Sequence, residues 1–157
     1  MKRKYSKQAS PKYKNTYVKY KSIQFKSKLE ANCYKIFLEH GYELQYENYP
    51  SELQKAFYPN VNIFLPDKGT RDLIKVSKKI LGINYKVDFY LPLEVNNRMV
   101  HIFIEAKGKP NDVYPIKKKM FIKTLEESSL NSNDVYFFEV HNIKQIHQAI
   151  EIIKTIS

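Results

Sequence analysis

Two short apolar runs, each interrupted by one acid, constrain this chain more than any other feature. Val87-Asp88-Phe89-Tyr90 lies within the run Ile83 to Leu91, and Ile-Phe-Ile-Glu-Ala-Lys-Gly follows at Ile102 to Gly108. Both are rich in β-branched and aromatic residues and are expected as strands, Ile83 to Leu91 and Met99 to Ala106. The polar link around Asn96-Asn97 is short enough to join them as an antiparallel hairpin. Side chains alternate along a strand, so Glu105 and Lys107 share one face while Ile104 and Ala106 take the other. With the strands as neighbours, Asp88 joins them in a cluster of two carboxylates and one lysine. The ordinary reading is a polar sheet face with a cross-strand salt bridge, and a Glu-x-Lys triplet alone is weak evidence for anything more. The upstream acid in this element order gives the triplet its weight.

A chain of 157 residues, 43% hydrophobic, fits one domain with a real core. No apolar run approaches the length of a membrane span, and no signal-like segment follows the basic start. The expectation is a cytoplasmic protein without a membrane partner. Cys33 is the only cysteine and, with Leu29, Ile36 and Phe37 at helical spacing, is expected as a buried thiol rather than a nucleophile. The four histidines (His40, His101, His141, His147) have no zinc-site spacing.

Charge is unevenly placed. Residues 1–28 hold ten of the 27 basic residues and none of the 16 acidic ones, leaving 17 against 16 in the other 129 positions. Nearly all of the formal +11 therefore sits in the first 28 residues. Tyr5, Tyr13, Tyr17 and Tyr20 are interleaved with Lys2, Arg3, Lys4, Lys7, Lys12, Lys14, Lys19 and Lys21. Such a segment can neutralise phosphates and stack on exposed bases; the alternative is a solvated tail that aids solubility. The organisation expected is a flexible basic arm over 1–16 and a single domain over 17–157.

Beyond the arm, Tyr17 to Phe25 alternates as a strand or hairpin. Ser27 to His40 has a helical stripe stopped by Gly41, and Glu43 to Glu47 is a short strand. Pro50, Pro59, Pro66 and Gly69 break up residues 50–80, where Arg71 to Leu81 is either a short helix or an extended excursion. Asn111 to Ser128 is expected as a helix, Asp134 to Val140 as a strand and Ile143 to Ile156 as a closing amphipathic helix. The order αβββαβα gives an α/β domain with a mixed central sheet flanked by helices.

Glu30 in a first helix, Asp88 on a strand, Glu105-Ala106-Lys107 on the next and a lysine-rich helix after it resemble the PD-(D/E)XK nuclease superfamily. The strings Phe25-Lys26-Ser27-Lys28-Leu29-Glu30-Ala31, Val87-Asp88-Phe89-Tyr90 and Glu105-Ala106-Lys107-Gly108 are further similar to a phage-encoded, endonuclease-like branch. Val87 stands where the family usually has Pro. The resemblance spans roughly residues 15 to 150. It implies a restriction-endonuclease-like core, similar to that of Holliday-junction resolvases, and a metal-dependent DNA endonuclease with Mg²⁺, replaceable by Mn²⁺, as cofactor.

The chemistry agrees with that implication. Phosphodiester hydrolysis calls for a hard cation that stabilises charge on the phosphate and acidifies the attacking water. Mg²⁺ takes oxygen ligands and keeps several waters, so Asp88, Glu105 and the Ala106 carbonyl suffice. Lys107, on Glu105's face and about 7 Å along at ~3.3 Å per residue, can orient the water or offset phosphate charge. Glu30 has two readings of near-equal weight from the residues alone. Ser27-Lys28-Leu29-Glu30 is an S-x-x-E capping box in which Glu30 would bond back to the Ser27 amide, or Glu30 is a fourth site acid. The resemblance favours the latter.

Lys109 and the run Lys117, Lys118 and Lys119 are candidate DNA contacts. Consecutive helical positions diverge, so one lysine at most faces the site, with Lys118 and Lys119 equivalent at this level. His141 falls near the site's edge and is expected to be a loop residue without chemistry; Asp112 is expected at a helix start and Asp134 in a turn. Two functions remain. One is a DNA endonuclease with junction or branched DNA among its candidate substrates, a homodimer being compatible. The other is a nucleic-acid-binding module that keeps the fold without turnover.

Overall fold

In the computed structural model, which describes residues 16–108 and 111–156, the alternating segment ahead of the first helix is a hairpin. Val18–Tyr20 (β1) pairs antiparallel with Ile23–Phe25 (β2). The helix Lys28–Glu39 (α1) starts where Ser27, in extended backbone, accepts the Glu30 N–H on its Oγ at 3.1 Å. It ends in a Schellman motif: Gly41 at φ +83° donates to the Leu38 carbonyl, and Tyr42 donates to that of Phe37.

The central sheet has four strands: Gln45–Tyr46 (β3), Phe89–Val95 (β8), Arg98–Ala106 (β9) and Val135–Val140 (β10), in spatial order β10-β9-β8-β3. β8 runs antiparallel to both β3 and β9, whereas β10 lies parallel to β9, so the sheet is mixed. The helix Tyr114–Glu126 (α2) makes the crossover that a parallel pair needs. Ile143–Ile156 (α3) closes the chain with Ile146, Ala149, Ile150 and Ile153 buried at helical spacing. Asn96 and Asn97, at φ 51° and 61°, turn β8 into β9, the left-handed pair that a tight hairpin requires. Pro92 is tolerated within β8 because β3 reaches only Phe89 and Tyr90, leaving an edge beyond them. The order along the central sheet is αβββαβα, as expected.

Two hydrophobic cores lie on opposite faces. The larger joins α1 and α3 to Phe89, Leu91, Ile102 and Ile104; the smaller joins Phe121 and Leu125 of α2 to Phe103. Cys33 is buried in the larger core, where burial pushes its thiol pKa up, the opposite of a nucleophile's environment.

The expected strand Ile83 to Leu91 is two strands. Ile83–Lys86 (β7) pairs antiparallel with Pro50–Gln54 (β4), and the chain bends at Val87-Asp88 before entering β8. The bend exists because Asp88 bonds across to Glu105 and Ala106 instead of continuing a ladder. Residues 71–81 are not helical: Ile63–Pro66 (β5) pairs antiparallel with Leu73–Val76 (β6), and Phe57 bridges Ile80 below them. Residues 50–86 thus form one long, interrupted hairpin. Gly82 is needed in its stem, since a Cβ there would lie 2.8 Å from the Gln54 carbonyl oxygen. No helix among the described residues is long and apolar enough to cross a membrane.

Candidate active site

The bend at Asp88 and the end of β9 interlock through backbone amides. The Ala106 N–H donates to Asp88 Oδ2 at 2.9 Å, and the Asp88 N–H donates to Glu105 Oε2 at 3.4 Å. Each acid is therefore held by the other's strand. Glu105 is only 1% exposed and Asp88 9%, so two carboxyl groups are buried side by side. Glu105 also accepts from the Tyr85 hydroxyl at 2.6 Å and from Lys107 Nζ at 3.0 Å. Burial, followed by the charges of Glu105 and Glu30, raises the Asp88 carboxyl well above its usual range. Burial lowers Lys107, but the charge and hydrogen bond of Glu105 outweigh it, and the ammonium is held above its ordinary value. Burial and Glu105 likewise raise Tyr85, keeping its hydroxyl a donor.

Glu30 is buried, and its carboxylate is fully engaged. It accepts from the Lys26 amide at 3.0 Å, the Ser27 hydroxyl at 2.8 Å and the Tyr46 hydroxyl at 2.7 Å. The expected return bond to the Ser27 amide is replaced by the one to Lys26, a residue earlier. Glu30 is thus a cap whose charge is still felt at Asp88 and Lys107.

A second polar row lies beside the first. Glu139 on β10 stands in register with Glu105 on β9. It accepts from the Tyr114 hydroxyl at 2.9 Å and Lys118 Nζ at 2.5 Å, with His141 Nε2 at 3.0 Å. The other ring nitrogen of His141 lies 2.5 Å from the Lys107 carbonyl oxygen. His141, in the loop after β10, thereby lies at the edge of this cluster. Burial raises Glu139, yet the bonds from Lys118 and Tyr114 overcome it and hold the carboxyl below its usual range. Nothing in the sequence analysis singled out Glu139, Tyr85 or Tyr114. A signal for Glu139 existed: Phe137-Phe138-Glu139-Val140 repeats the lone-acid pattern of Phe103-Ile104-Glu105-Ala106.

Of the three consecutive lysines, Lys118 reaches the site through Glu139. Lys117 bonds the Asn84 carbonyl at 2.9 Å and Lys119 faces solvent. Lys19 and Lys21 are exposed on the β1–β2 hairpin. Lys2, Arg3, Lys4, Lys12, Lys14 and Lys109 lie outside the described residues. Asp112 is exposed, and it is Asn111 that accepts the Tyr114 amide at the start of α2. Asp134 is a buried partner of Arg98 at 3.0 Å.

Among the described residues no three His, Cys, Asp or Glu side chains are grouped to hold a metal ion. A cation here would rest on Asp88, Glu105 and a main-chain oxygen such as that of Ala106, with water completing its shell, a set that suits Mg²⁺. The donor chemistry fits: two hard carboxylates are buried together, with the neighbouring ammonium of Lys107 bonded to one of them.

The sequence model of a family described as protein of unknown function (DUF1064) matches residues 10–136, a span containing Glu30, Asp88, Glu105 and Lys107. The chain belongs to this family. No curated protein and no solved structure matches it.

Proposed function

We propose that this DUF1064 protein is a Mg²⁺-dependent DNA endonuclease with a restriction-endonuclease-like core of the PD-(D/E)XK type, acting on branched or otherwise distorted DNA. One observation carries the reading: Asp88 and Glu105 are buried together through reciprocal backbone bonds, with Lys107 Nζ 3.0 Å from Glu105. Burying two carboxyl groups side by side costs stability, so their pairing favours a ligand site. The order αβββαβα supports the same reading.

Asp88, Glu105 and the Ala106 carbonyl would hold Mg²⁺, or Mn²⁺ in its place, which when bound polarises the phosphate and acidifies water. Tyr85 and the Asp88 amide fix the rotamer of Glu105. The Ala106 amide fixes that of Asp88. Lys107 orients the attacking water and offsets charge on the phosphate, its ammonium kept protonated by Glu105. Lys118 and the His141 ring, both on Glu139 beside Glu105, place further hydrogen-bonding groups where phosphate oxygens need donors. All these side chains come from one chain, so the reading requires no second copy.

The test is cleavage of plasmid, linear duplex and four-way-junction DNA with Mg²⁺, Mn²⁺ or EDTA. Cleavage should need the cation and fall by about 10²–10⁴-fold in Lys107→Ala, with DNA affinity retained. A wild-type protein that binds these DNAs but cuts none in either cation would instead be a binding module without turnover. Near wild-type turnover in Lys107→Ala would make the lysine a salt-bridge residue only.

A further inference from the structure

The far end of the 50–86 hairpin is not used by the fold. Neither hydrophobic core takes a side chain from residues 55–82, yet Phe64 is 55% exposed, Leu73 69% and Leu81 77%. The register places Phe64 opposite Lys75 and Pro66 opposite Leu73 on one face of the ribbon, and Leu65 opposite Ile74 on the other. The tip is firmly built. Asp67 Oδ2 accepts the Gly69 and Thr70 amides at 2.9 and 3.0 Å, and the Asp67 carbonyl accepts the Arg71 amide at 3.0 Å. This turn holds Lys68 and Arg71 out in solvent.

Charge decides what such a ribbon fits. Residues 55–81 contain six basic side chains (Lys55, Lys68, Arg71, Lys75, Lys78 and Lys79) against two acidic ones (Asp67 and Asp72). A second copy would oppose positive to positive, whereas a polyanion is complementary. A two-stranded antiparallel ribbon fits a DNA groove. Apolar side chains that meet base steps there act as wedges, partly unstacking and kinking the duplex.

We propose that the β5–β6 ribbon is a DNA-deforming arm. Lys68, Arg71 and Lys75 contact phosphates while Leu73, with Pro66 beside it, wedges between base pairs. The inference rests on the reading of DNA as substrate and adds the basis of selectivity. DNA already unstacked at a mismatch or branch is cheaper to wedge, so the arm favours it over a perfect duplex.

The test uses the full chain with Ca²⁺ in place of Mg²⁺. Affinity is read by anisotropy and bending by energy transfer between end-labelled dyes, on a perfect duplex and one with a central mismatch. Leu73→Ser should abolish the bending signal and reduce the preference for mismatched DNA by about tenfold. Lys68→Ala with Arg71→Ala should weaken binding to both DNAs and lower the slope of log K against log salt by roughly 2. Circular dichroism confirms that the variants are folded. Unchanged bending and preference in Leu73→Ser overturn the proposal. It is also overturned if sedimentation shows a wild-type dimer that Leu73→Ser dissociates while bending persists, which would make the ribbon a self-association surface. Asp88→Asn separates this inference from the nuclease reading: it should still bend DNA. If wild type bends but never cuts in Mg²⁺, the arm stands and the nuclease reading fails. If wild type cuts and the ribbon variants match it in bending and preference, the reverse holds. A protein that binds neither DNA overturns both.

Discussion

The open end of the central sheet and the β5–β6 ribbon break the burial rule in opposite directions. At the sheet end, Glu30, Asp88 and Glu105 are all less than 10% exposed, charge where apolar atoms belong. On the ribbon, Phe64, Leu65, Leu73 and Ile74 stand in water, apolar atoms where charge belongs. An isolated exposed Leu means little, but buried acids and a contiguous exposed apolar strip are the departures that carry information. Their stability comes from elsewhere. Phe25, Phe37, Phe89, Ile102 and Ile150 are fully buried in the larger core, each contributing about 1.5–3 kcal/mol. The fold can carry two unfavourable regions because neither holds it together, and the two differ in how substitution should affect them.

The largest contrast is expected at Asp88. Asp88→Asn should reduce cleavage by at least about 10²-fold while stabilising the metal-free protein at pH 8. The sign follows from the raised carboxyl. A group whose folded pKa lies above its unfolded one gives stability that is complete below the unfolded value and lost as pH rises through the folded one. Asn does not ionise and escapes that loss, so the gain should vanish near pH 4. Chemical denaturation of both proteins at the two pH values measures it. A variant less stable than wild type at pH 8 would make Asp88 structural and erase the contrast.

A smaller effect should divide the two roles of Glu30. Ser27→Ala removes the cap and should cost about 0.5–2 kcal/mol with cleavage nearly unchanged. Glu30→Gln keeps an acceptor for the Tyr46 hydroxyl but removes the charge that acts on Asp88 and Lys107, and should slow cleavage by about tenfold, roughly 1.4 kcal/mol. Thermal melts beside cleavage rates separate the two, and full activity in Glu30→Gln would reduce the residue to a cap. The smallest effect belongs to the ribbon. Phe64→Ala should shift folding stability by no more than about 0.5 kcal/mol, whereas truncating a core phenylalanine costs about 3–5 kcal/mol. A loss of that larger size at Phe64, read from denaturant midpoints, would show that the ribbon is packed after all.

What was legible in the sequence was local. The Asn96-Asn97 hairpin, the Ser27 cap, the Gly41 stop and the stripe of α3 are all set by neighbours within a few residues. The Asp88–Glu105–Lys107 grouping was legible because period-2 alternation and a short hairpin together bring residues 88 and 105 to the same place. The bend at Asp88 was not, since bonds to residues 105 and 106 make it. The 50–86 hairpin was hidden for a related reason: Phe57 meets Ile80 across 23 positions, and prolines mask the alternation between them. Lys118 could not be told from Lys119 until Glu139 was placed, and Glu139 depends on the parallel register that α2 imposes.

The stem of that hairpin bears on how such a protein diversifies. Pro50 pairs with Lys86 and Ser51 with Tyr85, so the chain leaves and re-enters the domain at nearly one point, two residues from Asp88. Everything beyond the Phe57–Ile80 bridge reaches the acids only through this clamp. Lengthening, trimming or exchanging the outer ribbon leaves the stem register, and with it Tyr85 and Asp88, in place. The hairpin is therefore a socket at which one sheet domain can carry different outer attachments without disturbing its buried acids.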